Sequence, residues 1–397
     1  MINDQDKIIL AIETSCDDTA VSVIEYQDQS KTDTQKIKIL SHLVSSQTDI
    51  HADWGGVVPH LAKREHSRNL IPLLKQALKQ AGITTKTETS KWPEEADGIL
   101  EKNLDLLPPA KEFLTQTGQP NIDSIAVTAG PGLEPALWTG LNLAKILALA
   151  WQIPLIPVNH LLGHLTFPLL SGQRLDFPAL ALIVSGGHTE LIKVNDWQNL
   201  HLYGRTRDDA AGEAFDKVAR LLDLPYPGGP AISQLAEKND PKTEPIFDLP
   251  RPMINSEDYD MSFSGLKTAV RYRRDSYPLT TDSEKISLAY EFQEAVIDVL
   301  VSKTKKALID LNLKTLIVGG GVSANTALKQ AMKNLAENFQ PPLELHLPPH
   351  DLSTDNASMI GLAAIATKET GYPPTLEALN KIEANGHLPL TKNQKNQ

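Results

Sequence analysis

The sequence predicts a layered α/β fold built as two similar lobes, and three observations predict it. Apolar strand-like runs alternate with helical patterns, as in folds that cover sheets with helices. Residues 8–25 (IILAIETSCDDTAVSVIE) read as strand, polar turn and strand, and the layout recurs at 179–194, where ALALIV and ELIKV flank Ser185, Gly186, Gly187, His188 and Thr189. The chain has 397 residues, more than one ordinary hydrophobic core accommodates.

Between the two hairpins the pattern predicts a helix over 64–79, a strand over 124–128, a glycine turn (AGPG) at 129–132 and a helix over 138–151. Beyond them it predicts a helix over 210–222, a turn at Tyr226-Pro-Gly-Gly-Pro230, helices over 286–311, and a strand (TLIVGGG) running into a helix that opens at 323–325. The stretch 84–121 holds TTKTETSK, Glu94, Glu95, Pro108 and Pro109, and reads as an inserted surface loop with at most one short helix. The expected division is an N-terminal lobe over 1–160, a C-terminal lobe over 161–390 with a helical insertion near 205–305, and a flexible tail over 391–397.

Composition narrows the function. Hydrophobic residues at 41% and charged residues at 22% are ordinary globular values and exclude a disordered or fibrous chain. The single cysteine, Cys16, precludes an internal disulfide, and the opening MINDQDK lacks the basic start and apolar run of a secretory signal, so a cytoplasmic location is expected. The apolar stretch 141–158 is broken by Lys145, Gln152, Pro154 and Pro157, and no membrane span is expected. A net charge of −11 is the wrong sign for wrapping nucleic acid unaided. Any RNA must meet a local basic patch. The candidates are Lys267, Arg271, Arg273 and Arg274 with Tyr272 among them, or Lys63, Arg64 and Arg68; each is also readable as a solvated charged face.

Several turns carry chemistry. The turn Ser185, Gly186, Gly187 brings backbone N–H groups close to an anion and adds hydroxyl donors, although a Gly-Gly hairpin also serves simply as a tight turn. Gly319, Gly320 and Gly321 follow a strand and precede a helix, where phosphates rest against a helix N-terminus. His160 and His164 stand at i and i+4, so on a helix both imidazoles project from one face toward a transition metal; packing near a helix start is the competing reading. Asp355, just before a small-residue helix, is a plausible third ligand. His51, His60, His66 and His188 are weaker candidates. Asp209, Glu213 and Asp216 recur at helical spacing among small residues, and Asp216 is expected to bind ribose hydroxyls.

Taken together, AIETSCDDT, HADWGGVVPHLAKREH, TAGPGL, PVNHLLGH, LIVSGGHTEL, DDAAGEAFDKVARLL, YPGGP, MSFSGLKT, GGGVSAN and TDNASMI resemble the TsaD/Gcp/Kae family of tRNA adenosine threonylcarbamoyltransferases, over nearly the whole chain. The resemblance implies two actin-like (ASKHA, ribonuclease-H-like) lobes with a central interlobe cleft. It implies transfer of a threonylcarbamoyl group from threonylcarbamoyl-AMP to the exocyclic N6 amine of adenosine 37 in tRNAs reading ANN codons. Carried over by position, His160, His164 and Asp355 hold one divalent ion, Fe(2+) first and Zn(2+) second, while Ile183, Val184, Ser185, Gly186, Gly187, Asp216, Gly229 and Asn325 bind the adenylate. The implied partners are tRNA, a noncatalytic paralogue of the same fold (TsaB-like) and a small P-loop ATPase (TsaE-like), with no membrane. No residue is identified as general base.

The chain departs from the family pattern at His60, where a glutamate is usual, at Glu134-Pro135-Ala136 after TAGPGL, and in 84–121. Three other readings compete, one of them a noncatalytic scaffold, which is disfavoured because an inactive paralogue is not expected to keep both histidines and Asp355. A kinase or ATPase of the same superfold predicts Mg²⁺ on oxygen ligands, which the paired histidines disfavour. A metallopeptidase needs a glutamate beside the first histidine, where Leu161 stands.

Overall fold

The computed structural model describes residues 6–27, 36–85, 89–172, 174–240, 246–276 and 281–391. Strands β1 (Asp6–Glu13) and β2 (Asp18–Gln27) form the first expected hairpin, paired from Asp6 opposite Gln27 to Glu13 opposite Ala20. With β3 (Ile37–Ser46), β4 (Ser124–Gly130) and β5 (Leu155–Asn159) they form a sheet of order β3-β2-β1-β4-β5. Its first three strands are antiparallel, and β4 and β5 run parallel to β1.

The second hairpin starts another sheet on the same plan. Strands β6 (Ala179–Val184), β7 (Thr189–Asp196), β8 (Asn199–Arg205), β9 (Thr315–Gly319) and β10 (Glu344–His346) lie in the order β8-β7-β6-β9-β10. Again three antiparallel strands are followed by two parallel ones. Each sheet thus has the strand scheme of an actin-like lobe.

The described residues form two compact units, one drawn from Met1–Ile50, Val57–Leu175 and Asp355–Leu390, the other from His51–Gly56 and Asp176–Thr354. This differs from a single boundary at 160, and packing explains why. Ile8, Leu10 and Ile12 of β1 enter one core with Leu70, Leu74 and Leu141 from the helices Pro59–Gln80 and Glu134–Trp151. The alternate residues, Ile9 and Ala11, are equally buried and face the other side of the sheet. The helix Ala357–Thr367, apolar all round, covers that side so closely that a Cβ on Gly361 would lie 2.6 Å from Ile24 Cδ1 and 3.3 Å from Ala11 Cβ. The chain therefore returns to its first sheet after completing the second.

The stretch 84–121 is not a surface loop. It forms the helices Ala96–Ile99 and Leu107–Gln116, joined by a 3₁₀ turn at Leu104–Leu106, and its Ala96, Leu100, Leu106, Ala110, Phe113 and Leu114 belong to the first core. Within it, buried Asn103 donates to Thr139 Oγ1 at 3.1 Å and accepts from Asn142 at 2.9 Å, fixing the segment to the helix Glu134–Trp151. The misleading signal was polarity confined to one side of short helices.

In the second unit, the helices over 205–305 complete the lobe's own core. Leu180, Leu182 and Val184 of β6 pack with Phe215, Val218, Phe292 and Val296. The longest of these helices, Asp282–Asp310, opens on a capping box between Thr281 and Glu284. No helix among the described residues is long and apolar enough to cross a membrane. The expected tail, beyond residue 391, lies outside the described residues.

Candidate functional site

In the first unit, β5 ends at Asn159, whose side-chain oxygen accepts the N–H groups of Leu161 and Leu162 at 2.9 and 3.4 Å and so starts the short helix His160–Gly163. The next backbone bond, His164 N–H to His160 carbonyl, sets the two imidazoles one turn apart, edge to face, with ring centres 4.7 Å apart. Asn356 likewise caps the helix Ala357–Thr367 by accepting the Met359 N–H at 3.0 Å, which leaves Asp355 immediately before the helix. The two elements meet where a side chain is missing: a Cβ on Gly163 would lie 2.9 Å from Met359 Cγ.

As a result Asp355 Oδ1 lies 3.5 Å from His160 Nε2 and 3.2 Å from His164 Nε2. One ligand atom from each of the three residues falls within 4.8 Å of the others. His164 Nδ1 is buried without a hydrogen-bond partner among the described residues, and Nε2 has only the Asp355 carboxylate beside it. A buried, unpaired polar atom is costly unless something else satisfies it. Two imidazoles and one carboxylate are a donor set that suits a ferrous or zinc ion, whereas Mg²⁺ and Ca²⁺ prefer all-oxygen sites. The residues present therefore fit a divalent transition ion.

A fourth residue, Glu13, completes this centre. It is the last residue of β1 and is fully buried. Its Oε2 accepts the Thr128 hydroxyl at 2.6 Å and lies 3.0 Å from His160 Nδ1, and its other oxygen accepts the Ser15 backbone N–H. A carboxylate there holds a proton on Nδ1, so Nε2, on the Asp355 side, is the nitrogen that becomes an electron-pair donor when the ring gives up its other proton. Burial disfavours the charged His160 ring, but Asp355 and then Glu13 outweigh it and push the imidazole up to about 9. Burial likewise works against ionised Asp355, and the two histidines overcome it, holding the carboxyl down to about 2.

Sequence reasoning missed Glu13. The available signal was a charged residue closing a continuous apolar strand, a position that a buried partner must justify. Of the weaker histidines, His66 is buried and bonded to Thr19 at 2.8 Å and to the Cys16 carbonyl at 2.9 Å, bracing the β1–β2 turn, and His60 is exposed near the start of its helix. The Glu134-Pro135 step opens the helix Glu134–Trp151 with proline in its first turn, and Ala136 offers its carbonyl to the Thr14 hydroxyl at 3.0 Å. Burial, reinforced by Asp17 and Asp355, pushes the Cys16 thiol well above its usual range, so it is not a thiolate nucleophile.

The second unit holds the other residues singled out. Ile183 and Val184 are buried at the end of β6, and Ser185, Gly186 and Gly187 turn outward from it, both glycines being exposed. The Ser185 N–H bonds the His188 carbonyl at 2.8 Å, and the Ser185 hydroxyl accepts the His188 N–H at 3.1 Å. Three close approaches gather the remaining segments. A Cβ on Gly212 would lie 2.7 Å from the Ser185 carbonyl oxygen, one on Gly228 would lie 2.6 Å from Asp216 Cα, and one on Gly320, at φ +91°, would lie 2.5 Å from the Val184 oxygen. Asp216 accepts the Gly228 N–H at 2.8 Å. Asn325 caps the helix Thr326–Asn338 by accepting from Leu328 at 2.9 Å and donates to Gln293 at 2.8 Å.

Asp209 and Glu213 part company with Asp216. Both are tied to Lys217 Nζ, at 2.7 and 2.8 Å, and Asp209 precedes the helix Ala211–Leu221 instead of sharing its face.

Two lobes of actin-like topology, one carrying a two-histidine, one-carboxylate cluster and the other a set of glycine turns, place the chain in the class of ASKHA-type folds. Comparison with solved structures agrees on the fold: the chain superposes on HypF from T. kodakarensis with a TM-score of 0.54 at 11% identity, covering 91% of this chain and 48% of that one. A full-length HypF in a phosphate- and nucleotide-bound form gives 0.51 at 12% identity, over 91% of this chain and 55% of that one. The family model TsaD, tRNA N6-adenosine threonylcarbamoyltransferase, matches residues 38–89 and 101–362. A tRNA N6-adenosine threonylcarbamoyltransferase of Geobacillus kaustophilus is 39% identical over 387 residues, covering 97% of this chain and 98% of its own length. One from Bacillus cereus is 42% identical over 382 residues, covering 96% of each. The chain belongs to the TsaD family of tRNA N6-adenosine threonylcarbamoyltransferases, a family of acyltransferases. The match resumes at 101, so much of the stretch 84–121 is shared with the family and only 90–100 falls outside it.

Proposed function

We propose that this chain transfers the threonylcarbamoyl group of threonylcarbamoyl-AMP to the N6 amine of adenosine 37 in tRNAs reading ANN codons. The observation that carries the reading is the convergence of His160, His164 and Asp355, all three with ligand atoms within 4.8 Å of one another. In this reading those three residues hold one divalent ion, Fe(2+) in preference to Zn(2+). Ile183, Val184, Ser185, Gly186, Gly187, Asp216, Gly229 and Asn325 hold the adenylate. Bound there, such an ion supplies Lewis-acid stabilisation for developing negative charge.

The donor is a carbamoyl–phosphate mixed anhydride and is already activated. The amine nitrogen forms a bond to the carbamoyl carbon, the bond from that carbon to the phosphate oxygen breaks, AMP departs with the electron pair, and the amine loses a proton. No covalent enzyme intermediate is needed, which agrees with a Cys16 thiol held in its neutral form. What the protein contributes is positioning and charge stabilisation. The exposed Gly186 and Gly187 allow backbone N–H groups to approach the phosphate, and Asp216, oriented by the Gly228 N–H, presents a carboxylate to ribose hydroxyls. Glu13 keeps a proton on His160 Nδ1, so that Nε2 is the nitrogen that gives up its proton to coordinate.

The reaction further implies a noncatalytic TsaB-like paralogue and a TsaE-like P-loop ATPase as partners, in the cytoplasm. The test is mass spectrometry of nucleosides from unmodified tRNA incubated with the protein, these partners and threonylcarbamoyl-AMP. Threonylcarbamoyladenosine is expected, and His160→Ala or His164→Ala should abolish both bound metal and product. Full activity of either variant, or stoichiometric phosphoryl transfer from ATP to a metabolite in place of the product, overturns the reading.

A further inference from the structure

We propose that the outer face of the helix Ser264–Ser276 is the surface on which this chain receives RNA, its arginines engaging backbone phosphates and Tyr272 stacking on an unpaired base. The inference deepens the tRNA reading above and rests on it. Leu266 and Val270, one turn apart, are fully buried and seat the helix on the core of the second unit. Arg271, Tyr272 and Arg273 are exposed, and Tyr272 keeps 65% of its surface in water.

The helix carries four cations, Lys267, Arg271, Arg273 and Arg274, against one carboxylate, Asp275. Asp275 cannot neutralise them. It lies 3.7 Å from Arg271 and 3.1 Å from Arg274, and Arg274 also turns back to the Leu221 carbonyl at 3.1 Å, bracing the helix end. Lys267 and Arg273 make no ion pair among the described residues. The second basic cluster is different: Arg64 and Arg68 both face Glu65, at 3.5 and 2.8 Å, and Lys63 donates to the Lys102 carbonyl. It has one cation fewer for its one carboxylate, and no tyrosine, tryptophan or phenylalanine stands among its residues.

On a chain of net charge −11, a local positive excess gives a polyanion a place where it is not repelled. The chemistry favours RNA over an acidic protein, because guanidinium groups flanking an exposed aromatic ring suit a phosphate chain whose unstacked bases lie open, as in RNA loops.

The experiment measures binding and turnover separately, with a labelled unmodified tRNA transcript and the full chain. Arg271→Glu with Arg273→Glu is expected to weaken binding and raise KM for tRNA at least about tenfold, with kcat and adenylate affinity unchanged, and to lower the slope of log K against log salt by about one to two. Tyr272→Ala should weaken binding about fivefold or more with the slope unchanged. Lys314→Glu with Lys333→Glu, both exposed and equal in charge change, serves as control and should move binding less than about threefold. Retained affinity and slope in the Arg271/Arg273 variant, or an equal loss in the control, overturns the inference, as does loss confined to binding of an acidic protein partner. Tight, patch-dependent RNA binding without threonylcarbamoyl transfer would count against the proposed reaction and leave the docking surface standing.

Discussion

Glu13 and His160, 147 residues apart, meet through Oε2 and Nδ1 at 3.0 Å, and this contact decides which nitrogen of His160 faces Asp355. Thr128 holds the same carboxylate oxygen at 2.6 Å, so its direction is set from β4 as well as β1. Glu13→Gln keeps the shape but presents an amide that can accept or donate, and Glu13→Ala removes the acceptor. Both should weaken divalent-ion binding about 10- to 100-fold, the usual cost of removing the group that orients a histidine ligand. Competition against a calibrated chelator measures this directly. Unchanged affinity in Glu13→Ala would mean that Ser15, whose hydroxyl lies 3.1 Å from the same nitrogen, orients the ring alone.

The pH dependence follows from the same pair. In the metal-free fold His160 keeps a proton up to about pH 9, against an ordinary value of 6.5. Its contribution to the stability of that form is full below 6.5 and is lost as pH rises through about 9. Asp355 runs the other way: its contribution is present above 3.8 and is lost as pH falls toward about 2. A metal must displace the His160 proton, so affinity should rise about tenfold per pH unit below that range and flatten beyond it. Calorimetry in buffers of different ionisation enthalpy should register about one proton released per ion at neutral pH. Release of none would show that His160 is already neutral.

The two glycines of Tyr226-Pro-Gly-Gly-Pro230, the segment expected as a turn, instead open the helix Gly228–Ala236, and they should separate fold from binding. Gly228 has no room for a methyl group, with Asp216 Cα 2.6 Å from its would-be Cβ, whereas nothing lies within 4 Å at Gly229. Gly228→Ala should destabilise the fold by about 1–3 kcal/mol through overpacking and shift Asp216 as well. Gly229→Ala should leave the melting temperature unchanged while weakening affinity for an adenylate analogue about tenfold, the effect of about 1.4 kcal/mol lost at a ligand contact. Equal melting temperatures for both variants would contradict the packing argument, and unchanged analogue binding by Gly229→Ala would remove that residue from the adenylate set.

What could be read from the chain depended on whether local spacing carried the information. The hairpins β1–β2 and β6–β7 were legible because a polar turn between two β-rich runs has one simple solution, and repetition of that signal pointed to two lobes. His160 and His164 were legible from their spacing, and Asp355 from its place before a small-residue helix. Glu13 was only half legible: its place at the end of an apolar strand signals burial, but its partner is distant and nothing in ETSCDD says which residue the carboxylate braces. The return of Asp355–Leu390 to the first unit was equally hidden, since it depends on which side of a doubly buried sheet lacks cover.

The stretch 84–121 gives the clearest test of that difference between pattern and packing. Read as polar and proline-rich, it predicts that deletion is harmless, since lengthening or shortening a surface loop costs little. In the fold, Phe113 is 1% exposed and stands edge-on to Trp151 with ring centres 6.3 Å apart, and Asn103 bridges Thr139 and Asn142. Phe113→Ala should therefore cost about 3–5 kcal/mol, the range for emptying a buried aromatic site. Asn103→Ala should cost about 1–3 kcal/mol by stranding buried amide and hydroxyl groups. Deletion of 90–100, the part outside the family match, removes the buried Ala96 and Leu100 and should destabilise less than Phe113→Ala. Urea unfolding of the three variants, with metal held constant, ranks them. If the deletion proved the most disruptive, those eleven residues would be a structural element of this chain in their own right, and their exposed side would become the natural place to look for whatever distinguishes it from its relatives.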